Sequence, residues 1–569
     1  MKNEALIQKK LESLHQMFDE QAGMIAEHKT DMGAGYHTRR TGTVHGTNIS
    51  AEYAAAVIHM GDQRYFDRVN QVFCALAALQ DTAPDSSTFG LWPYYMEEDL
   101  SQMLAPDYNF SDFIGKHFIY ALTAGKEALH PNTQAIMRTA LQNAMECSIR
   151  RNVSPDYSNI SMMSCMTIIS AGELLGDDRL LKTGKERLKK AYAYNMFCGA
   201  FSEYNSSTYT PLAIAELTRM LMYFQDAECR QMAQELHDMA WENISLYYNA
   251  YTGEIAPPQK RAYRDLDDGQ LQSLIYIATD GKYGILRNPE NLLLSFLTLP
   301  FHCPEKFFPN FTMTEPRWLN KTYYKRNHIR TADEDTVIVR NIDSPDLKAY
   351  TYMTQDYSAG AFDKTDLWNQ RRTSMITWGT PEAPRCLRLR CINGSYDYCS
   401  GVARTEMRQN IMLTHVGFVS DHGDFHYILD KKKNGMITTD RIAFRFEMNG
   451  ATENVKISRS GDSFLLQDGE MQIRLSVCKW VFDGKPGKII LHEQAQTIEL
   501  LGYAGEERTF DFNQLQDSYG VFILALMSDL PDCTVSVENE KVISCAGTGE
   551  LHVQTYTGIK TFDEFMALE

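Results

Sequence analysis

Three joints of one kind recur in the first half of the chain: Gly61-Asp62-Gln63-Arg64-Tyr65, Gly176-Asp177-Asp178-Arg179-Leu180 and, more weakly, Gln225-Asp226-Ala227-Glu228. In each, an apolar run at helical spacing stops at a glycine or polar residue, and an aspartate caps the run that follows. Tight joints recurring at about fifty residues, or a multiple of that, specify stacked αα-hairpins. Such a stack either extends as a solenoid or closes into a ring. The other connections select the ring. Residues 82–108, 249–265 and 301–330 are long, rich in proline and aromatic residues, and alternate with the tight turns, so the elaborate loops share one rim. Loops beyond about 12–15 residues in a compact domain are usually functional.

The helical pattern predicts spans at 4–29, 50–60, 63–81, 109–127, 133–150, 160–175, 178–195, 208–224, 227–248, 266–280 and 287–299. Past residue 330 the period changes. Short β-branched and aromatic runs at 336–340, 349–353, 373–378, 388–392, 441–446, 472–477 and 488–491 are separated by turns such as Asn393-Gly394 and Asp483-Gly484, the pattern of an antiparallel sandwich. The expected fold is α+β and multidomain: an (α/α)6-type helical toroid over residues 1–325, then an antiparallel β-sandwich over 326–569. A chain of 569 residues exceeds what one core supports.

A formal charge of −17 argues against nucleic-acid and anionic-membrane partners, which require a basic face. The N-terminus lacks the apolar run of a signal peptide, and no later run reaches membrane-spanning length, so a cytoplasmic location is expected. Twelve scattered cysteines fit reduced core thiols. Cys386 and Cys391 lack a partner pair at metal-ligand spacing, and neither a metal nor another cofactor is expected. Self-association is left open.

Gly199-Ala200-Phe201-Ser202-Glu203-Tyr204-Asn205-Ser206-Ser207-Thr208-Tyr209 concentrates a carboxylate, two phenols and an amide between two helices, with Ser206, Ser207 or Thr208 as N-cap of the second. It reads either as an active-site loop or as a capping loop around a buried tyrosine. In the loop at 82–108 and the helix after it, Trp92, Tyr94 and Tyr95 stand beside Glu97, Glu98, Asp99, Asn109 and Asp112. Aromatic faces stack on sugar C–H groups and carboxylates bind hydroxyls or move protons; the plainer reading of Glu98 and Asp99 is a solvated helix start. Arg150, Arg151 and Asn159 could grip an anionic sugar, since arginine pairs bidentately with a carboxylate. Alternatively the arginines only complement a helix C-terminus and Asn159 is an N-cap. Residues 35–47 carry His37, Arg39, Arg40 and His45 without an acidic residue, a pattern suited to anions. In the second half, 368–372 and His415, His422 and His426 read as interdomain or surface residues.

Together these pieces resemble the α/α-toroid carbohydrate-active enzymes with a C-terminal β-sandwich, which include heparinase- and alginate-lyase-like proteins and uronate-directed glycoside hydrolases. Gly199 and Glu203 fit a Gly-x-x-x-Glu segment that opens the helix bearing the lyase tyrosine, and Asn159 fits the asparagine of an Asn-His pair. Ile160 replaces that histidine, and Tyr209 falls later than the usual tyrosine. The resemblance implies a hydrolase removing a terminal uronic acid, β-glucuronidase-like, from an oligosaccharide or glycoside. Glu203 would be general acid or base, with Glu97 or Asp112 as its partner at about 5–5.5 Å for retention or about 6.5–9.5 Å for inversion. Tyr204, Asn205 and Tyr209 would orient the sugar, and His37, Arg39, Arg150 or Arg151 would hold the carboxylate. Two alternatives stand beside it: a β-eliminating uronate lyase using Asn159, Tyr209 and a sandwich histidine, and a noncatalytic glycan-binding protein.

Overall fold

The computed structural model describes residues 3–30, 37–323, 347–425, 430 and 435–568. Gly35, Tyr36, His426, the strand expected at 336–340 and the boundary expected near 325 lie outside the described residues. The chain forms two compact units: residues 1–201, 210–241 and 268–304, and residues 202–209, 242–267 and 305–569.

The first unit is built of αα-hairpins. Helices α1 (Glu4–Met17), α2 (Thr47–Met60), α3 (Phe66–Leu79), α4 (Phe110–Thr123), α5 (Pro131–Arg151), α6 (Ser158–Leu175), α7 (Asp178–Cys198), α8 (Tyr209–Tyr223), α9 (Ala227–Tyr247) and α10 (Gln270–Ala278) follow the predicted order. The helices pair as α2/α3, α4/α5 and α6/α7, and the first members pack on one another, α2 on α4 and α4 on α6. This is the layering of an α/α toroid, and it explains the composition of α6. Nearly every side chain from Ser158 to Gly172 is buried, because an inner helix is covered on all sides. The outer helix α7 buries only a stripe, including Leu180, Leu188 and Ala191. The joints behave as read: Asp62 accepts from the Arg64 N–H, Asp177 from Arg179 and Leu180, and Asp226 from Cys229.

Close approach of α6 and α7 depends on Gly172, where an added Cβ would lie 2.8 Å from the Leu181 nitrogen. Backbone cannot yield as a side-chain tip can, so Gly172→Val is expected to cost about 1–3 kcal/mol through overpacking, read as a lower denaturant midpoint with unchanged slope.

Two predicted helices differ in the structure. The first stops at Met17 rather than 29: Phe18 is extended, the Asp19 carboxylate accepts from Gln21 and Ala22, Gly23 takes φ +68°, and Met24–Lys29 becomes a strand paired with Gly42–His45. An Asx turn followed by a left-handed glycine outweighs the helical spacing. The span expected at 287–299 is only a short turn at Pro289–Asn291 and the single-turn α11, Leu294–Leu297.

The second unit is antiparallel β. One sheet orders Lys488–His492, Thr497–Asp511, Met436–Gly450, Ala383–Asn393, Met375–Thr380, Tyr357–Phe362, Leu347–Met353 and Arg317–Tyr323. A second orders Lys456–Ser460, Ser463–Asp468, Met471–Phe482, Tyr519–Leu526, Ile411–Phe418, Gly401–Arg408 and Lys364–Asp366. Their facing side chains, among them Phe444, Phe446, Leu475, Trp480, Leu500 and Phe522, form the main core. A three-stranded sheet (Cys533–Glu538, Lys541–Ala546, Leu551–Tyr556) covers the other face of the second sheet through Leu413, Val521, Ile523, Val542 and Val553. Tyr519–Leu526 is therefore buried along its whole length and loses the apolar-polar alternation that Met471–Val477 keeps.

Polar residues fasten this unit too. The fully buried Glu499 carboxylate accepts from Arg441, Arg445 and His492. Burial opposes its charge, but those hydrogen bonds outweigh burial and hold its pKa at about 2, below the ordinary 4.5. A depressed folded value contributes stability above the ordinary pKa that is lost as pH falls through the folded one. Glu499→Gln is therefore expected to flatten the acid limb of stability between pH 4.5 and 2, measured by denaturant midpoints across that range.

Candidate functional site

In the helical unit, residues 80–109 run without a helix and gather side chains from three of the predicted segments. Glu97 accepts from the His45 N–H at 3.0 Å and contacts the His45 Nδ1, while the Nε2 of that ring lies 3.3 Å from Asp19. Partial burial opposes charge on Glu97, yet the His45 ring and backbone bonds prevail and its pKa is lowered. Arg40 donates to the Glu97 carbonyl. His37 donates through Nδ1 to the Ala105 carbonyl at 2.6 Å, which leaves Nε2 3.7 Å from Asp107. The Tyr94 hydroxyl donates to Asp107 at 2.7 Å, and its ring stacks on Phe110 at 4.2 Å. Arg151 donates to Asn109 and sits over Tyr157 at 5.9 Å; Arg150 lies over Phe89 at 4.9 Å. Segments 37–45, 94–109 and 150–157 thus form one polar and aromatic cluster.

Other predicted residues stand apart from it. Arg39 is exposed. Trp92 is a core residue that donates to the Leu76 carbonyl at 2.8 Å. Asn159 lies inside the first turn of α6, buried, and is not its N-cap. Asp112 has no exposed surface: Ser148 and Thr167 donate to it at 3.0 and 2.6 Å, and burial raises its pKa against the opposing hydroxyls and the charges of Arg151 and Arg187. It ties α4 to α5 and α6. No helix starts at Glu98, whose carboxylate is buried rather than solvated.

In the sheet unit, Gln259-Lys260-Arg261-Ala262 runs beside the 202–209 segment. Lys260 donates to the Tyr204 carbonyl, and Gln259 pairs with Arg372. Ser206 is the capping residue, accepting from the Tyr209 N–H at 2.9 Å. Asn205, at φ +52°, donates to the Ala256 and Pro258 carbonyls, and the Tyr204 hydroxyl bonds that of Tyr247 at 2.6 Å. Those two residues hold the loop in shape.

Glu203 and Tyr209 meet through a residue that the sequence reading did not single out. Arg261 donates to Glu203 at 2.8 Å and to Gln370 at 2.7 Å, and its guanidinium lies 4.4 Å from the Tyr209 ring centre and 5.8 Å from that of Trp368. The Tyr209 hydroxyl is buried and makes no hydrogen bond among the described residues. Burial raises its pKa well above 10, against the opposing charge of Arg261, so it is a neutral phenol at physiological pH. Behind this cluster Arg371 bonds Asp366, Asp424 and the Lys260 carbonyl. His422, two residues before Asp424, donates through Nδ1 to the Gly423 carbonyl at 2.8 Å, which leaves Nε2 as the basic nitrogen. His415, by contrast, is sealed against Ser544, and burial pushes its pKa down to about 3. The only sequence sign of Arg261 was the density of charge in Lys260-Arg261-Ala262-Tyr263-Arg264-Asp265.

Among the described residues no helix is long and apolar enough to cross a membrane. Residues 4–282, just under half of the chain, match a family model described as "Domain of unknown function (DUF8769)". No curated protein matches the chain. Among solved structures, the chain is similar to heparinase III at 11% identity, with 90% of this chain and 82% of that one covered and a TM-score of 0.40. It is similar to the Streptomyces coelicolor A3 chondroitin AC lyase, solved in complex with chondroitin sulphate, at 8% identity, with 97% and 85% covered and a TM-score of 0.46. It is also similar to the heparan sulfate lyase HepC from Pedobacter heparinus at 10% identity, with 90% and 82% covered and a TM-score of 0.30.

Proposed function

We propose that the protein is a uronate-directed lyase cleaving a uronic-acid-containing glycan by β-elimination. The observation that carries this reading is the buried, unbonded hydroxyl of Tyr209, whose ring lies under the Arg261 guanidinium. Elimination needs a cation to neutralise the uronate carboxylate, a base for the proton α to it, and an acid for the departing glycosidic oxygen. Arg261, oriented by Glu203 and Gln370, supplies the first; a phenol that stays protonated supplies the third. His422 Nε2 is the proposed base. The base takes the α-proton, its electron pair becomes the ring double bond, and the glycosidic oxygen leaves with the Tyr209 proton.

Hydrolysis is the second reading, favoured by the carboxylate of Glu203 standing ready as nucleophile or base in its pair with Arg261. It also requires a protonated carboxyl within reach of the bond. Glu97 is held ionised by His45, and the carboxyl of Asp112 is already engaged by the Ser148 and Thr167 hydroxyls, whereas the Tyr209 hydroxyl makes no such bond among the described residues. Neither offers an acid of that kind, which is why elimination is preferred. The cluster of Tyr94, Asp107, Asn109 and Arg151 is proposed as a further glycan-contacting surface.

Incubation with a panel of uronate-containing oligosaccharides and glycosides, followed by mass and ultraviolet measurement of products, tests the reading. An absorbing, unsaturated uronate is expected. Release of saturated uronic acid would establish the hydrolase instead, and a panel left intact would leave a glycan-binding role.

A further inference from the structure

Strand Met471–Phe482 alternates strictly, with Met471, Ile473, Leu475 and Val477 facing the main core, until its register with Tyr519–Leu526 shifts between Val477 and Lys479. Cys478 is the extra residue of that bulge. Alternation after Val477 turns Cys478 away from the main core, and it packs, as Val481, Leu530, Cys533 and Val535 do, against the core beneath the cover sheet. Cys533 opens the first strand of that cover sheet. Both thiols line one cavity of about 620 Å³, together with Lys479 and Asp532, and both are free and only partly buried, whereas most other cysteines are sealed.

We propose that Cys478 and Cys533 form a thiol-disulfide modification site that closes on reaction with a small-molecule disulfide such as oxidised glutathione. The two thiols act on each other across the cavity: the pair raises the pKa of Cys478 and lowers that of Cys533. A stabilised thiolate is the attacking species. Cys533 sulfur attacks one sulfur of the oxidant and expels one glutathione thiolate, leaving a mixed disulfide on Cys533. Cys478, losing its proton to solvent, then attacks the Cys533 sulfur and expels the second glutathione. Two protein thiols become one disulfide, and one oxidised glutathione becomes two reduced ones. The bond would staple the cover sheet to the second sheet within the cavity.

The test uses the full-length protein, incubated with oxidised glutathione, alkylated, and digested without reductant. The expected product is a peptide pair joining Cys478 to Cys533, lighter by two hydrogens than the sum of its reduced parts. Cys478→Ala should instead stop at a stable glutathione adduct on Cys533, and Cys533→Ala should leave Cys478 fully alkylated. Recovery of both thiols alkylated in the wild-type protein would overturn the proposal. So would glutathione retained on Cys478, or a cross-link from Cys533 to Cys545.

Discussion

Tyr209→Phe is expected to lower the rate of unsaturated-product formation by about 10²–10⁴-fold, the usual worth of one positioned acid or base. Thermal stability should change little, because the deleted hydroxyl makes no hydrogen bond among the described residues. Burial makes this a sharp comparison: removing an unbonded buried hydroxyl relieves a desolvation cost, so stability should hold or rise slightly while activity falls. KM should move less than kcat, since the ring remains under Arg261 and only the transferred proton is lost. An unchanged kcat on a substrate that the wild-type protein cleaves would remove Tyr209 from the mechanism.

The second large effect concerns stability. Asp366 is fully buried and accepts from both Arg371 Nε, at 3.2 Å, and Arg371 Nη2, at 3.0 Å, as well as from the backbone N–H groups of Trp368 and Asp424. Asp366→Asn leaves the Arg371 guanidinium in the interior with one fewer countercharge. Breaking a buried pair from one side costs about 3–5 kcal/mol, and the lower end is expected because Asp424 stays in contact with Arg371. Chemical denaturation with the slope held constant measures it. The same change is expected to displace Lys260-Arg261 through the bond from Arg371 to the Lys260 carbonyl, so activity should fall with stability.

The helical half was legible because its signals are local. An aspartate two or three residues before a free N–H is enough to write a cap at 62, 177 and 226, and each is there. The sheet half was legible as antiparallel β chain but not strand by strand or as layers: Tyr519–Leu526 is not among the runs picked out, because nothing local in it tells a strand between two cores from a buried helix turn. At the candidate site, Glu203 and Tyr209 were found by their crowding. Arg261 was not, because its meaning comes from Glu203, Gln370 and Tyr209, which lie 58, 109 and 52 residues away in the chain. Trp92 and Asp112 show the reverse failure. An aromatic or acidic residue beside others like it looks like a binding group until packing shows it sealed, and periodicity alone does not reveal which side of a helix or loop faces inward.

The sheet unit is assembled from three separated stretches of chain, 202–209, 242–267 and 305–569. Gly360 packs so tightly on the 242–267 stretch that an added Cβ would fall 2.0 Å from the Pro257 carbonyl oxygen, and Thr351 donates to the same atom. During synthesis the two early stretches therefore emerge from the ribosome with their partners still untranslated, and they wait, unsheltered, for the last strands to arrive. A gene fragment starting at residue 305 would encode strands lacking the surface they close upon, so this unit has to be inherited, expressed and exchanged together with the helices written before it.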